Sequence, residues 1–360
     1  MQHSYLCQGC QTDWANAMVQ TKVTIREVAE RAGFSTTTVS HVLNNVPGKR
    51  IPDTTRTMVR AAADDLGYRP NRMAQGLRLQ RSDTIGFVSD WIATSPHAGM
   101  TIVGAQRAAA EYGSLLLLMN SGTDVDLEQR EIRALLDRQV DGIVYASEYH
   151  RLVNPPALLH ETHAVLLDAR APGSDWAYAV PDEFGGAVTG LGALIESGHR
   201  TIGYLNNVDD IPATTGRLRG YRQVLSDNGI AMDEGLIVTD ESDATGGYRA
   251  AMSILARADR PTGLFCFNDR MAMGAYQAAA ALGLRIPDDL SIVGFDDQQI
   301  ISAGLRPGLT TVALPHLEMG EWAVHALMRL IHSDGQETVE PAVLPCPLVR
   351  RASVGPPPGV

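Results

Sequence analysis

The sequence has few cysteines and no long apolar run. Four cysteines in 360 residues are too few for a fold held together by disulfide bonds. No stretch of 18 consecutive apolar residues occurs, which argues against a membrane-spanning helix. The sequence does not show the basic segment followed by an apolar run that would predict an export signal. We therefore expect a cytoplasmic protein that has no membrane partner.

The sequence also lacks the glycine-rich loops with which nucleotide-dependent enzymes hold phosphates. Neither G-x-G-x-x-G nor G-x-x-x-x-G-K-[ST] follows the first apolar run, where the chain has Ser89–Thr94 instead. Gly185 and Gly186 open a helical stretch, but no further glycine follows in register. The G-x-S-x-G motif of two-domain hydrolases is absent as well. We therefore predict that the protein is not an enzyme and uses no cofactor.

The first residues are distinguished by a cysteine pair. Cys7 and Cys10 form a C-x-x-C motif, and His3 lies four positions upstream. These three potential ligands fall short of the four that a structural zinc site uses. We predict no metal site and a disordered N-terminal extension over residues 1–22, with Met18 as an alternative start.

The segment that follows has the pattern of two short helices joined by a tight turn. Ile25, Val28 and Ala29 recur at helical spacing and form an apolar stripe. Gly33 suits the left-handed conformation that commonly ends a helix, and Ser35 is a typical N-cap residue for the next helix. The segment therefore predicts a helix-turn-helix.

The outer face of the second helix is small, polar and uncharged, which suits contact with base edges in a DNA major groove. Residues 22–81 contain 11 Lys+Arg and 5 Asp+Glu, whereas the whole chain carries a net charge of −11. The basic end can therefore meet DNA phosphates, and the acidic remainder cannot. The spacing alone would equally suit a helix pair in any globular protein. The candidate DNA contacts here are Thr24, Ser35, Thr36, Thr37, Thr38, Ser40, His41, Asn44, Lys49 and Arg50.

Two runs of the sequence resemble a known family. Ser35–Asn44 is similar to the recognition helix of the LacI-type transcription regulators, and Tyr68–Leu77 resembles the hinge helix of that family. The resemblance extends over about residues 22–352. It implies a repressor that binds a double-stranded operator and is controlled by a small-molecule effector.

The resembling hinge segment is short. Residues 71–79 form only about two helical turns, too few to be stable alone in water. In the family, such a helix orders on the operator minor groove, where a leucine enters a base step; Leu77 is the matching position. The alternative is that Leu77 packs on the core of the next domain. The candidate DNA contacts here are Tyr68, Asn71, Arg72, Ala74 and Leu77.

From about residue 83, apolar runs typical of buried parallel strands alternate with helical stretches. The runs lie at Thr84–Val88, Ser114–Met119, Gly142–Tyr145, Ala164–Leu167, Thr201–Leu205, Gly263–Phe267 and Leu290–Gly294. This alternation predicts a doubly wound α/β fold that splits near Val180–Glu183 into two similar halves. Two facing halves imply a cleft, as in the periplasmic sugar-binding proteins, whose fold the LacI-type family shares.

The predicted domain organisation follows from this division. An all-α helix-turn-helix domain precedes a hinge and linker, then two parallel-sheet subdomains, then a tail. The predicted bounds are 23–70 for the DNA-binding domain, 71–82 for the hinge helix and linker, 83–351 for the effector-binding and dimerisation domain, and 352–360 for the tail. Within 83–351, the N-subdomain takes about 83–181 and 312–340, and the C-subdomain takes about 182–311 and 341–351.

Polar residues follow the predicted strands, where the carboxyl ends of a parallel sheet collect functional groups. Each alone is as easily a turn or cap residue, but they recur at one edge of the sheet. Carboxylates, amides and a guanidinium beside aromatic rings are typical of a sugar pocket. The candidate effector contacts are Asp90, Trp91, Tyr145, Asp168, Arg217, Asn268, Asp269 and Asp296.

The resemblance implies the same chemistry at several of these positions. Asp168, Arg217, Asn268, Asp269 and Asp296 match positions at which members of the family contact their effectors.

The chain departs from one branch of the family. Where the purine repressors have arginine, threonine and phenylalanine around the base, this sequence has Ile211, Ala213 and Ser242. We therefore expect a mono- or oligosaccharide effector rather than a nucleobase.

The expected assembly is a homodimer, because two recognition helices that bind a palindromic operator require two-fold symmetry. The C-terminal residues contain no leucine heptads, so no tetramerising coiled coil is predicted. One alternative remains: a sugar-binding transport-type protein without a transcriptional role. Such a protein would have the same core, but an export signal in place of the DNA-binding module.

Overall fold

The computed structural model describes residues 23–44, 46, 48–69, 81–95 and 98–359. The chain divides into two compact units at Gln80 and Arg81. The predicted N-terminal extension over 1–22 and the predicted hinge helix over 71–79 lie outside the described residues.

The described residues of the first unit form three helices, α1 (Ile25–Ala32), α2 (Thr36–Leu43) and α3 (Asp53–Asp65). Small apolar side chains from all three form its core: Val28, Ala29, Ala32, Val39, Val42, Val59, Ala62 and Ala63 are buried. The end of α1 and the start of α2 lie at the residues that the sequence predicted. Gly33 follows α1 with φ 73°, and Ser35 caps α2 by accepting a hydrogen bond from the Thr38 backbone N–H.

The second unit contains two sheets of six strands each. The first sheet has the order β11-β5-β4-β3-β1-β2, and its strands pair in parallel. These strands are β1 (Thr84–Ser89), β2 (Leu115–Asn120), β3 (Gly142–Leu152), β4 (Ala164–Arg170), β5 (Tyr178–Pro181) and β11 (Ala342–Leu344).

The second sheet has the order β12-β10-β9-β8-β6-β7. Only its edge strand β12 pairs antiparallel among the described strands, with β10. The strands are β6 (Ile202–Asn207), β7 (Ile237–Asp240), β8 (Gly263–Cys266), β9 (Ser291–Asp296), β10 (Thr310–Ala313) and β12 (Leu348–Val349). The predicted doubly wound α/β architecture is confirmed.

Helices connect the strands of both sheets. They are α4 (Gly99–Glu111), α5 (Val125–Asp137), α6 (Glu183–Glu196), α7 (Pro212–Asp227), α8 (Ala244–Leu255), α9 (Asp269–Ala281), α10 (Gln299–Ser302) and α11 (His316–His332). Short 3₁₀ segments lie at Ile92–Thr94, Ala157–Glu161 and Glu234–Leu236. No helix among the described residues is long and apolar enough to cross a membrane.

Close backbone contact joins α4 and α11 in the first half. A Cβ atom at Gly104 would overlap the carbonyl oxygen of Leu317, and a Cβ at Gly320 would overlap that of Thr101. Glycine is therefore required at both positions, because any side chain would force the two helices apart.

The structure corrects two of the predicted boundaries. Residues 342–344 were assigned to the second half, but β11 pairs with β5 in the first sheet, so the chain crosses back only after this strand. The second correction concerns the predicted tail. Ser353 is fully buried; its Oγ donates to the Ile292 carbonyl at 2.6 Å and accepts from the Thr310 N–H at 2.8 Å. Both errors concern pairings between residues distant in sequence, which local periodicity does not contain.

Candidate functional site

The helix α2, which the sequence predicted as a recognition helix, exposes the residues that the sequence singled out. Thr36 and Thr37 are exposed at its start, and Ser40 and His41 are half-buried on the following turn. Val39 and Val42, on the opposite face, are fully buried. Because the apolar face fixes the helix on its core, the threonine side chains are held on the surface of the unit, where base edges can reach them.

Several other candidate DNA contacts have structural roles within the first unit. Thr24 caps α1 in a reciprocal arrangement with Glu27, and Ser35 caps α2 while its Oγ lies 2.9 Å from the Thr38 Oγ1. The Asn44 amide donates to Ser40 Oγ at 3.1 Å. Tyr68 is half-buried against the core of the three helices.

The remaining candidates of this unit fall into two groups. Lys49 and Arg50 are exposed, as phosphate contacts must be. The candidates on the hinge, which are Asn71, Arg72, Ala74 and Leu77, lie outside the described residues.

The second unit contains a cavity lined by residues of both sheets at the carboxyl ends of their strands. Its volume is about 160 Å³, which is room for a small ligand rather than a single water molecule. The lining residues are Glu148, Tyr149, His150, Asp168, Pro181, Glu183, Asn207, Asp209, Ile211, Ala213, Arg217, Ser242, Phe267, Asn268, Arg270, Asp296 and Leu314.

Four of the candidate effector residues meet at this cavity: Asp168, Arg217, Asn268 and Asp296. Asp168 lies within β4 and Asp296 ends β9. Both have positive φ, 51° and 101°, which is uncommon for residues other than glycine. Backbone conformations of this kind often occur at ligand sites, where the surrounding structure holds them in place.

The other four candidates do not line the cavity. Asp269 is fully buried and accepts hydrogen bonds from Thr311 Oγ1 and the Gln298 N–H. The Tyr145 hydroxyl donates to Glu128 at 2.8 Å. Trp91 lies against Gly122, with 47% of its surface exposed. Asp90 is buried and pairs with Arg151.

Arg217 is held by groups of the chain itself. Its Nε donates to Glu183 Oε2 at 2.7 Å, its Nη1 donates to the Phe267 carbonyl, and Asp296 Oδ1 lies 3.5 Å from Nη1. The guanidinium carbon lies 3.6 Å from the centroid of the Phe295 ring. Burial alone would lower the pKa of Arg217, but the Glu183 and Asp296 carboxylates raise it overall. The guanidinium is therefore charged, with its orientation fixed on one edge of the cavity.

Asp168 is a buried carboxyl of the cavity. It is 4% exposed, and its Oδ1 has no hydrogen-bond partner among the described residues. Burial raises the pKa of Asp168 well above its usual value, and the neighbouring Glu183 carboxylate raises it further. A carboxyl in this condition retains its proton to a higher pH than a surface carboxyl, and when protonated it can donate as well as accept.

Sequence reasoning missed several residues that matter here. Glu183 pairs with Arg217, yet it was noted only as the point where the two halves divide. Tyr149 and His150 also line the cavity, because β3 continues past Tyr145 as far as Leu152. The pairing of β3 with β4 shifts in register between Ala146 and Arg151, and this shift turns the intervening residues toward the cavity. The only local signal that residues after Tyr145 line the cavity was a polar run directly after a predicted strand.

Comparison with known proteins agrees with this architecture. The model of the bacterial regulatory proteins of the lacI family matches residues 24–71, and the model of the periplasmic binding protein-like domain matches residues 191–354. The HTH-type transcriptional repressor PurR of Klebsiella pneumoniae is 35% identical over 340 residues, which covers 92% of this chain and 96% of the relative.

The chain belongs to the lacI family of bacterial regulatory proteins. The PurR repressor of Erwinia tasmaniensis is 34% identical over 337 residues, covering 91% of this chain and 96% of the relative. Because its relatives are transcriptional repressors, this lacI-family protein is a DNA-binding transcriptional repressor, and the prediction that it is not an enzyme is confirmed.

Solved structures of the lacI family have the same fold. The lac repressor dimer bound to operator and the anti-inducer ONPF is 27% identical, with a TM-score of 0.73 over 93% of this chain and 100% of the other. The regulator CelR in complex with cellobiose is 28% identical, with a TM-score of 0.65 over 92% of this chain and 100% of the other.

Proposed function

We propose that this repressor binds a palindromic operator as a homodimer and that a sugar in the cavity controls this binding. The observation that carries the proposal is that one chain has both an exposed polar helix, α2, in its first unit and a polar cavity lined by both sheets in its second unit. The first supplies a DNA-reading surface, and the second supplies a place where a ligand contacts both halves of the sensor.

The operator contacts are assigned by side-chain chemistry. Thr36, Thr37 and His41 are proposed to contact base edges, since they lie on the outer face of α2. Lys49 and Arg50 are proposed to contact phosphates, which positions the protein without reading sequence. Leu77 remains a proposed minor-groove wedge, supported only by its sequence.

An exposed apolar edge of the first sheet supports the dimer. The edge strand β2 exposes 70% of Leu115 and 40% of Leu118. Long apolar edge strands pair with further strands or aggregate unless something covers them. A second copy of the chain is the proposed cover, and the similar lac repressor is a dimer in its operator complex.

The lining of the cavity supports a sugar. Carboxyl groups such as that of Asp168, whose Oδ1 has no hydrogen-bond partner among the described residues, can hydrogen-bond sugar hydroxyls. The ring of Phe267 offers an apolar surface beside them. The similar regulator CelR was solved with cellobiose. The relatives named PurR make purine bases the class to test against sugars.

The proposed control is a two-state equilibrium. A ligand that contacts both sheets favours one angle between them, and that angle sets the separation of the two hinge segments in the dimer. The ligand shifts the equilibrium only through its different affinity for the two states, and such couplings typically reach about 1–3 kcal/mol. The measured direction of the shift decides whether the effector releases or promotes operator binding.

The test is a binding-site selection with the full chain, followed by operator binding with and without candidate effectors. We expect one palindromic sequence to be enriched, and its affinity to change with a mono- or disaccharide. Absence of any preference over random duplex contradicts operator recognition. A response to purine bases but to no sugar would contradict the effector class and leave operator binding in place.

A further inference from the structure

A buried histidine on the first-sheet wall of the cavity lacks hydrogen-bond partners. His150 is 6% exposed, and among the described residues neither of its ring nitrogens has a hydrogen-bond partner. Its Nδ1 lies 3.7 Å from Glu183 Oε1, which is too long for a hydrogen bond. Asp168 Oδ1, on the same cavity, is in the same condition. Buried polar atoms without partners are rare, because each one destabilises the fold.

A second buried histidine shows how this fold satisfies an imidazole. His199 is fully buried, its Nδ1 lies 2.9 Å from Thr262 Oγ1, and its Nε2 lies 2.9 Å from the Gly355 carbonyl oxygen. Since the carbonyl only accepts, Nε2 donates to it and Nδ1 accepts from the threonine hydroxyl. The contrast with His150 therefore points to a partner that comes from outside the chain.

The backbone that carries His150 is fixed at both ends. Asp90 Oδ1 accepts from the Glu148 N–H at 2.9 Å, and the other Asp90 oxygen accepts from the Arg151 guanidinium. Arg151 Nε also donates to Ser147 Oγ at 3.1 Å. The irregular segment between these anchors is therefore held rigidly, with His150 at the cavity. Asp90, predicted as an effector contact, acts in this way as a positioning residue.

The charges around the cavity restrict the class of ligand. Five carboxyl groups line it, those of Glu148, Asp168, Glu183, Asp209 and Asp296, against the two guanidiniums of Arg217 and Arg270. Arg217 is already paired with Glu183 and Asp296, so it offers little to an anion. A phosphate ester would meet mostly like charge at close range. Uncharged hydroxyls would not, and each can donate to a carboxylate or to an imidazole nitrogen.

We propose that His150 is an effector contact that hydrogen-bonds a hydroxyl of an unphosphorylated sugar, and that the acidic lining rejects phosphorylated sugars. The inference rests on the proposed function and names the ligand class more narrowly. His150 and Asp168 each form a hydrogen bond with one hydroxyl of the ligand, so both gain a partner when the ligand binds. The ligand-free protein is less stable than it would be with apolar side chains at these positions, as is common at binding sites.

The first test uses thermal unfolding of the ligand-free full chain. We expect His150→Leu to raise the Tm by about 2–4 °C, since it removes two unsatisfied polar atoms. The matched control His199→Leu should lower the Tm by a similar amount, because it removes the hydrogen bonds of His199 to the Gly355 carbonyl and to Thr262 Oγ1. His150→Gln, which keeps a polar group, should show no such rise. A His150→Leu variant that loses stability as His199→Leu does would overturn the proposal, because His150 would then be a structural residue.

The second test uses matched ligand pairs: glucose with glucose 6-phosphate, and galactose with galactose 6-phosphate, within a panel of mono- and disaccharides and purine bases. We expect only unphosphorylated sugars to raise the wild-type Tm, and His150→Leu to weaken their binding about 10-fold. Equal binding of a phosphorylated partner, or a panel in which no unphosphorylated sugar binds, overturns the ligand class.

Operator selection with the wild-type protein distinguishes a failure of the proposed ligand contact from a failure of the proposed repressor function. Selective operator binding together with a failure of either test above rejects the role of His150 or the ligand class, and leaves the proposed repressor function in place. Absence of selective operator binding rejects the proposed function, whatever the ligand panel shows.

Discussion

The recognition helix and the cavity place polar side chains in opposite environments. Thr36 and Thr37 belong to one eight-residue helix and face water, where exposing a hydroxyl costs nothing. Asp168, Arg217 and His150 come from distant segments and are each less than 7% exposed. Because of this difference, we expect substitutions on the helix to change recognition alone, and substitutions in the cavity to change ligand binding and stability together.

The largest expected effect is at the buried ion pair of the cavity. Arg217→Leu removes the guanidinium that pairs with the buried Glu183 carboxylate, so we expect a loss of about 3–5 kcal/mol in the free energy of unfolding. Chemical denaturation of the full chain measures it. Arg249→Leu is the matched control, because its pair with Asp240 has the arginine side chain 50% exposed; that loss should be much smaller than the loss at Arg217.

The double variant Arg217→Leu/Glu183→Leu sharpens this result. If the loss comes from an uncompensated charge, removing both charges should restore much of the stability. Equal losses in the single and double variants would show instead that packing on Phe295 is the main contribution of Arg217.

A smaller effect is expected outside the cavity, at a buried polar side chain whose partners are all present. Ser353→Ala removes the hydroxyl that accepts from the Thr310 N–H and donates to the Ile292 carbonyl. We expect a loss of about 1–3 kcal/mol, measured by denaturation, because a buried backbone donor loses its acceptor. Ser174→Ala, at an exposed turn, should cost less than about 0.5 kcal/mol. Similar losses at both serines would mean that residues 353–355 are not essential to the second sheet.

At Asp168 we expect a substitution to stabilise the protein, in contrast to those at Arg217 and Ser353, and the effect should depend on pH. Its folded pKa is raised, so the folded state binds its proton more tightly than the unfolded chain, and its contribution to stability falls as the pH rises above about 4. Asp168→Asn removes this titration. The variant should therefore unfold at nearly the wild-type temperature near pH 4 and at a higher temperature near pH 8, as followed by Tm against pH.

An Asp168→Asn variant whose relative stability falls with rising pH would show that the ionised carboxylate is stabilised in the folded state, which would remove the argument from burial. Asp240→Asn is the control, since Arg249 lowers the pKa of this carboxyl through a hydrogen bond. The Tm of Asp240→Asn relative to wild type should therefore fall as the pH rises above the lowered pKa of the folded protein.

The two regions also differ in what the sequence reveals. The start and the buried face of α2 were predictable, because Gly33, Ser35 and the apolar Val39 and Val42 specify them within one short segment. The alternation of strands and helices and four cavity residues followed from apolar runs and the polar residues after them. His150 was not predictable, since its position depends on how β3 pairs with β4. The burial of Ser353 likewise depends on the distant Ile292.

The smallest effect on stability, with the clearest effect on recognition, is expected at Thr37. Thr37 is exposed on α2, so Thr37→Ala should change the free energy of unfolding by less than about 0.5 kcal/mol. A base contact at this position would contribute about 1–3 kcal/mol of discrimination, so the preferred operator sequence should change or broaden at one base pair of each half-site. Thr57→Ala, exposed on α3, is the control and should leave the selected sequence unaltered. If the Thr37→Ala selection matches that of the wild type, Thr37 is not a base contact, and sequence reading would then depend on the other exposed residues of α2.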